Sequence, residues 1–404
     1  MRVPKLRFKA DDGSEFPDWE EHRIDDACAL NPQTEALDDE FYYMDLGSID
    51  HGRWEAPEIV SKVDAPSRAQ RVAAIDDVFF QSVRPYNMGH YHYVAAKDKQ
   101  VVASTGYIQA RMRNGSNAFL YQLFYEEKFN AEVNARCTGS NYPAINSRKF
   151  GEITVALPSF SEQRKIADLL SAVDDAIAAQ QAEVDAWEQR KKGVMQKLFS
   201  QEVRFKADDG SDFPDWEEKT LGDLGEFIKG APLSKADIAP EGNPMILYGE
   251  LYTTYGEVAY EIARSTNRNV DDKYRSKIGD VLIPTSGETP EEISTATCVM
   301  KEGVILAGDL YIYRTVDEID GRIMSYLLNH QANKAISCIA QGKSVVHIQA
   351  KELRNITVVF PLEMGEQRKI ADCLSSMDEV VQKSKGELAK WQELKKGLLQ
   401  QMFV

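Results

Sequence analysis

From residue 161 to residue 199, apolar side chains recur in alternating steps of four and three. They are Ile166, Leu170, Val173, Ile177, Val184, Trp187, Val194 and Leu198, with Gln180 and Lys191 filling two polar slots. This spacing is the inward seam of a coiled-coil helix. The series returns near the end of the sequence as Ile370, Leu374, Met377, Val381, Leu388, Trp391, Leu398 and Met402, where Ser384 and Lys395 occupy the polar slots. Each seam predicts a helix of about 38 residues, about 57 Å long at about 1.5 Å per residue. Such a stripe packs either on its own domain or on another helix, and two seams matched slot for slot favour pairing with each other. A chain that leaves along the first helix must come back along the second, which predicts an antiparallel pair. Ser159 followed by Glu162 predicts a capping box at the start of the first helix. Gly193 and Gly397 fall late in the seams, where glycine costs about 1 kcal/mol relative to alanine. They mark a kink or a close packing contact.

Outside the seams the pattern changes to short β-branched and aromatic runs bounded by Gly, Pro, Asn and Asp, among them residues 78–83 and 281–286. These predict strands, and 119–135 and 322–337 predict helices in matching places. The match extends to sequence. Arg7 to Ser14 recurs as Arg204 to Ser211, an offset of 197, and Glu162 to Asp168 recurs as Glu366 to Asp372, an offset of 204. Trp187 and Trp391, and the following Lys-Lys-Gly, keep the second offset. Between these shared ends the two middles diverge. The expected fold is therefore α+β: two globular domains separated by two long antiparallel coiled-coil helices, in a tandem repeat with pseudo-two-fold character. The expected boundaries are a first domain at 1–160, a first helix at 161–200, a second domain at 201–362 and a second helix at 363–404.

Composition excludes several classes. Of 404 residues 43% are apolar, enough for two cores and too many for disorder. Five cysteines form no CxxC pair, which argues against a disulfide framework or zinc cage and fits a reducing cytoplasm. The opening residues lack the apolar core of a signal peptide, and no run approaches the roughly 20 apolar residues a membrane span needs. A cytoplasmic protein with no membrane partner is the expectation. The net charge of −16 opposes nucleic-acid binding, yet residues 41–160 carry 13 basic and 12 acidic side chains while residues 1–40 carry 5 and 12. The acidity leans on the start of each half, so a local basic patch remains possible.

The duplicated Glu-Gln-Arg-Lys-Ile-Ala-Asp start, the long seam ending in Trp and Lys-Lys-Gly, the repeated opening segment and the divergent middles together resemble the specificity subunits of type I restriction–modification systems. The resemblance covers the whole chain. It implies two target-recognition domains on two antiparallel spacer helices, each domain reading one half of an interrupted double-stranded DNA target. It also implies two modification subunits that methylate adenine, and two restriction subunits of helicase-nuclease type. S-adenosylmethionine, Mg and ATP are expected on those partners and no cofactor on this chain. A rod of the predicted length can hold two readers about one DNA turn apart, roughly 34–36 Å. A non-reading scaffold or regulator of such a complex is the alternative, although a scaffold for two identical partners gains nothing from two different middles.

Catalytic motifs are not found. An adenine methyltransferase needs an (Asp/Asn)-Pro-Pro-(Tyr/Phe) loop and a glycine-rich turn; the nearest string, Asn141-Tyr142-Pro143, has the wrong order. Pro214-Asp215 with Glu217 and Lys219 has the letters of a nuclease site at too short a spacing, and both Pro-Asp pairs read better as turns before Trp19 and Trp216. Gly342-Lys343-Ser344 follows a helical pattern, whereas a phosphate loop follows a strand. His90 and His92 lie on one side of a strand and could ligate a metal, but without nearby cysteines they read as a surface or DNA-facing pair.

Base readout uses Arg for guanine and Asn or Gln for adenine, with hydroxyls and amides on phosphates. The candidates in the first middle are Arg84, Tyr86, Asn87, Arg111, Arg113, Asn114, Ser140 and Asn141. In the second they are Tyr252, Thr253, Arg264, Arg268, Thr285, Ser286, Lys343 and Ser344. All lie in the unshared parts, where two different half-sites must be encoded. Among shared residues, the four tryptophans 19, 187, 216 and 391 are expected as core anchors. Arg164, Lys165, Arg368 and Lys369 face either a modification subunit or solvent.

Overall fold

The computed structural model of the chain describes residues 4–33, 35–50, 52–54, 56–342 and 345–404. The chain divides into two compact units. Unit 1 comprises 1–183 with 385–404, and unit 2 comprises 184–384.

Unit 1 mixes helices with sheets. One four-stranded sheet has the order Glu58–Ser61, Glu40–Met44, Val101–Ser104, Ala69–Val72, and a second has the order Cys28–Leu30, Tyr107–Met112, Val78–Gln81, Tyr91–His92. The run Val78–Gln81 is buried throughout, which suits β-branched and aromatic side chains on both faces of a strand. Phe80 of this strand packs with Phe124, Phe129 and Phe150 at 4.7–6.0 Å, edge-on or tilted except for Phe124 and Phe129, which stack on each other.

Unit 2 repeats the plan with different strands. Its five-stranded sheet runs Gly225–Lys229, Leu310–Thr315, Asp280–Pro284, Thr297–Val299, Val258–Ala259, and its three-stranded sheet runs Arg264–Thr266, Asn243–Leu247, Ile305–Ala307. Both units contain parallel pairing: Tyr42 opposite Val101 in unit 1, and Met245 opposite Ile305 and Val258 opposite Cys298 in unit 2. Both also close with a two-stranded ribbon, Glu20–Arg23 on Thr154–Leu157 and Glu217–Thr220 on Thr357–Phe360.

The first long helix is Phe160–Phe199 and the second is Met364–Met402. In unit 1, Ile166, Ala167 and Leu170 share a core with Leu399, Met402 and Phe403. The start of one long helix therefore lies beside the end of the other, and they run in opposite directions there. In unit 2, Met195 and Leu198 share a core with Ile370 and Leu374, which reverses the two roles.

Four expectations need correction. Glu162 does not reach back to cap its own helix: its buried carboxylate accepts from Arg7 at 2.8 and 2.9 Å. Trp391 is 37% exposed and no core anchor. Trp187 and Trp216 are only partly buried, and Trp187 carries Arg190 over its ring at 5.3 Å. His90 is no surface group: it is fully buried, stacked on Phe80 at 4.3 Å, and its Nδ1 accepts from the Gln81 N–H. Finally, a Cβ added at Gly193 or Gly397 meets nothing within 4 Å, so close packing does not explain them. Gly193→Ala and Gly397→Ala are each expected to raise stability by about 1 kcal/mol, read as a higher denaturant midpoint. A loss would mean that the glycines hold a conformation the helix needs.

Candidate nucleic-acid interface

The shared Glu-Gln-Arg-Lys stretch fastens each unit in the same way. Arg7 donates to Glu162 and to the Phe16 and Pro17 carbonyls; Arg204 donates to Glu366 and to the Phe213 and Pro214 carbonyls. Gln163 donates to the Pro158 carbonyl and accepts the Ser116 N–H at 2.9 Å, and Gln367 donates to the Pro361 carbonyl and accepts the Asp320 N–H at 2.8 Å. Both amide groups thus grip the residue that caps the next helix of the recognition region. Lys165 donates to Asp11 and the Lys9 carbonyl, and Lys369 to Asp208 and the Lys206 carbonyl. Arg164 and Arg368 are exposed, with no hydrogen bond or ion pair among the described residues.

A second device ties the long helices together inside each unit. In unit 1, Lys395 pairs with Asp174 at 2.6 Å and lies 4.8 Å over the Tyr125 ring. In unit 2, Lys191 pairs with Asp378 and, at 3.0 Å, with Glu257, and lies 5.5 Å over the Tyr326 ring. The two polar lysine slots of the seams are thus filled by ion pairs to the facing helix. Burial alone would raise the Glu257 carboxyl, but His330 and Lys191 outweigh it and hold it down at about 2.

Just past the strands Val78–Gln81 and Asp280–Pro284, both units build one hairpin. Thr138 and Ala144 exchange backbone hydrogen bonds at 2.9 and 3.0 Å, and Gln341 and His347 do so at 3.0 and 2.9 Å. Ala144 bridges back to Val83, as His347 pairs with Ser286. The turn needs a left-handed residue, supplied by Gly139 (φ 99°) and Gly342 (φ 148°). The frame is common and the tips are not: residues 139–143 read Gly-Ser-Asn-Tyr-Pro and residues 342–346 read Gly-Lys-Ser-Val-Val.

In unit 1 this hairpin gathers five of the expected readers. Arg84 donates its N–H to the Pro143 carbonyl at 2.7 Å and stacks its guanidinium on Tyr142 at 4.2 Å. Tyr86 and Asn87 follow in an exposed turn, and Ser140 and Asn141 stand exposed on the tip. Arg111, Arg113 and Asn114 do not join them. Arg113 and Asn114 line a cleft with Phe160 and Gln163 at the start of the first long helix. Arg111 donates its Nε to the buried Asp77 carboxylate at 2.7 Å. Unit 2 has the same pair, Arg314 on Asp280 at 2.7–2.9 Å. In both, the carboxylate also accepts the N–H three residues before it. Arg111 therefore occupies a shared position.

In unit 2, Thr285 and Ser286 sit at the base of the hairpin. Ser286 is buried and donates to Asp309, and Thr285 takes part through its backbone, donating its N–H to the Asp309 carbonyl and accepting the Ile348 N–H. Lys343 and Ser344 lie outside the described residues. Tyr252 and Thr253 fall in a separate turn, where Thr253 donates to the Gly249 carbonyl. Arg264 and Arg268 are exposed but paired, with Glu250 at 3.0 Å and Asp237 at 2.9 Å. Sequence reasoning missed Tyr142 as the platform for Arg84, although a tyrosine beside Asn141 on a glycine turn was a usable signal. It also missed Asp280 and Arg314.

No helix among the described residues is long and apolar enough to cross a membrane. The described residues contain no group of three or more His, Cys, Asp or Glu placed to hold a metal.

The model of the type I restriction modification DNA specificity domain matches residues 68–185 and again 214–390. Among curated proteins, the chain is 23% identical over 321 residues to the type I restriction enzyme MjaVIII specificity subunit of Methanocaldococcus jannaschii, covering 74% of this chain and 73% of that protein. Among solved structures, a type I restriction–modification S subunit from M. genitalium superposes with a TM-score of 0.63 at 16% identity, over 100% of this chain and 99% of that one. A chain solved in work on complex assembly and conformational transition of the type I R-M system gives 0.53 at 22% identity, over 96% and 98%. These likenesses to solved structures show the fold. With both matched stretches together spanning well over half of its length, the chain belongs to the type I restriction modification DNA specificity domain family.

Proposed function

We propose that the chain reads an interrupted double-stranded DNA target for a type I restriction–modification complex, one half with each recognition domain (1–160 and 201–362). The helices at 161–200 and 363–404 form an antiparallel coiled coil that spaces the two readers. The observation that carries this reading is the hairpin built twice on one frame with unlike tips, Thr138–Ala144 and Gln341–His347. One geometry presenting two surfaces suits a target with two unlike halves. The repeated frame, with Arg164 and Arg368 exposed on it, suits two copies of one modification subunit, and two restriction subunits complete the assembly. Adenine methylation and cleavage are then done by those partners with S-adenosylmethionine, Mg and ATP, and this chain binds none of these and catalyses nothing. The complex works in the cytoplasm, where its DNA is.

Exchanging residues 41–160 for the corresponding segment of a relative with another target is the test. Adenine methylation mapped by long-read sequencing in cells carrying the modification subunit is expected to show one half of the motif replaced and the other kept. Replacement of both halves, or of neither, would refute modular reading.

A further inference from the structure

We propose that Arg84 is the base-reading side chain of unit 1, that it selects a guanine in that unit's half-site, and that Tyr142 holds its guanidinium in the reading pose. This rests on the proposed function and deepens it by naming a residue and a base.

The first support is which arginines are engaged. Of the other candidate arginines, Arg111 is held by Asp77, Arg264 by Glu250 and Arg268 by Asp237, while Arg113 is exposed in the cleft with Phe160 and Gln163, apart from the hairpin. No carboxylate pairs with Arg84 among the described residues, and its Nε is buried without an acceptor.

The second support is the pose. Arg84 has φ 50° and ψ 58°, and Met88, at the far end of the same short turn, has φ 53°. A non-glycine residue persists in the left-handed region only where its surroundings impose it, and such positions cluster at ligand clamps. Here the Pro143 carbonyl fixes the backbone and the Tyr142 ring backs the guanidinium. A planar group held this way loses little freedom on binding.

The third support is the contrast with unit 2. The pairing of Ser286 with His347, matching the bridge of Val83 to Ala144, puts Gly287 where unit 1 has Arg84. A Cβ there would stand 2.4 Å from Ile293, so unit 2 has no room for a reader at this place. The two hairpins differ where two half-sites must.

Guanine follows from the fork: two parallel N–H groups match O6 and N7 on its major-groove edge. A phosphate also accepts from guanidinium, so the experiment must separate the two. The chain would be co-expressed with its modification subunit, and methylated adenines mapped on a library of random-sequence DNA. The wild type is expected to require a guanine at one position of one half-site. Arg84→Ala and Arg84→Lys should both lower methylation of that motif about 5- to 150-fold and admit other bases at that position alone. Tyr142→Ala should relax the same position to a smaller degree. A phosphate contact predicts otherwise: Arg84→Lys would keep the motif, and Arg84→Ala would weaken all sequences alike. Either of those results, or an unchanged motif in Arg84→Ala, overturns the assignment. The unaltered half-site reports that each variant is folded and assembled. If the wild-type complex methylates no defined sequence, the reading of the whole chain fails and the assignment with it. If the wild type is specific and Arg84→Lys still demands guanine, the assignment of Arg84 alone fails.

Discussion

Arg7→Ala is expected to destabilise unit 1 by about 3–5 kcal/mol, as breaking a buried ion pair from one side generally does. The side chain of Glu162 is fully buried, and Arg7 covers both of its oxygens with charge-assisted hydrogen bonds at 2.8 and 2.9 Å. Without the guanidinium, a desolvated carboxylate is left with no compensating charge. The exposed part of Arg7 is small, so solvent cannot replace it without opening the contact. Adding Glu162→Gln to Arg7→Ala should recover much of the loss, because the buried charge is then gone. The mirror variant, Arg204→Ala, should weaken unit 2 through Glu366 to a similar degree. Denaturant unfolding of the full chain, followed at positions within each unit, checks both. A cost below about 1 kcal/mol, the range of exposed ion pairs, would show that these arginines do not hold the frame.

The second large effect is a loss of unit 1 stability in mild acid. Burial between Phe80 and Tyr125 pushes the His90 imidazole down to about 3. Its Nδ1 accepts the Gln81 N–H, and its Nε2 is buried with no hydrogen bond. The unfolded chain takes up a proton below about pH 6.5, while the folded chain does not until about pH 3. Stability contributed by the neutral ring is therefore complete above pH 6.5 and falls with pH, by about 1.4 kcal/mol per unit. About 2 kcal/mol should be gone at pH 5. His90→Gln keeps an acceptor for Gln81 but does not titrate, so it should be less stable at pH 8 and flatter between pH 6.5 and 5. The same slope in both proteins would place the acid sensitivity elsewhere.

Both effects arise at residues whose importance was not legible in the sequence, and the reason is distance along the chain. Periodic features were readable: the seam predicted a helix from residue 161 and the structure starts it at Phe160. Repeated strings were readable as well, since Glu162 to Asp168 returns letter for letter. What Glu162 does was not, because its partner Arg7 stands 155 residues away and a closer capping role fitted the letters. The Asp77–Arg111 pair has a twin in Asp280–Arg314, but the offset there is 203, between the 197 and 204 of the visible repeats, in sequence that otherwise diverges. His90 looked like a surface group because alternation along a strand shows which residues share a face, without showing that both faces are covered. The hairpin tips were legible as glycine-marked polar loops. Their convergence with Arg84 depends on strand pairing that no local pattern encodes.

The division of the chain also bears on the order in which it can fold during synthesis. Unit 2 is a single continuous stretch, 184–384, whereas unit 1 needs 385–404 as well. Leu399, Met402 and Phe403 complete the core around Trp19 and Phe119, and the Gln401 carbonyl accepts the Leu6 N–H. A ribosome adding about 5–20 residues per second therefore releases the whole of unit 2 before unit 1 can close. The half made first is finished last, and until then its aromatic core lies open to whatever chaperone or neighbouring nascent chain meets it.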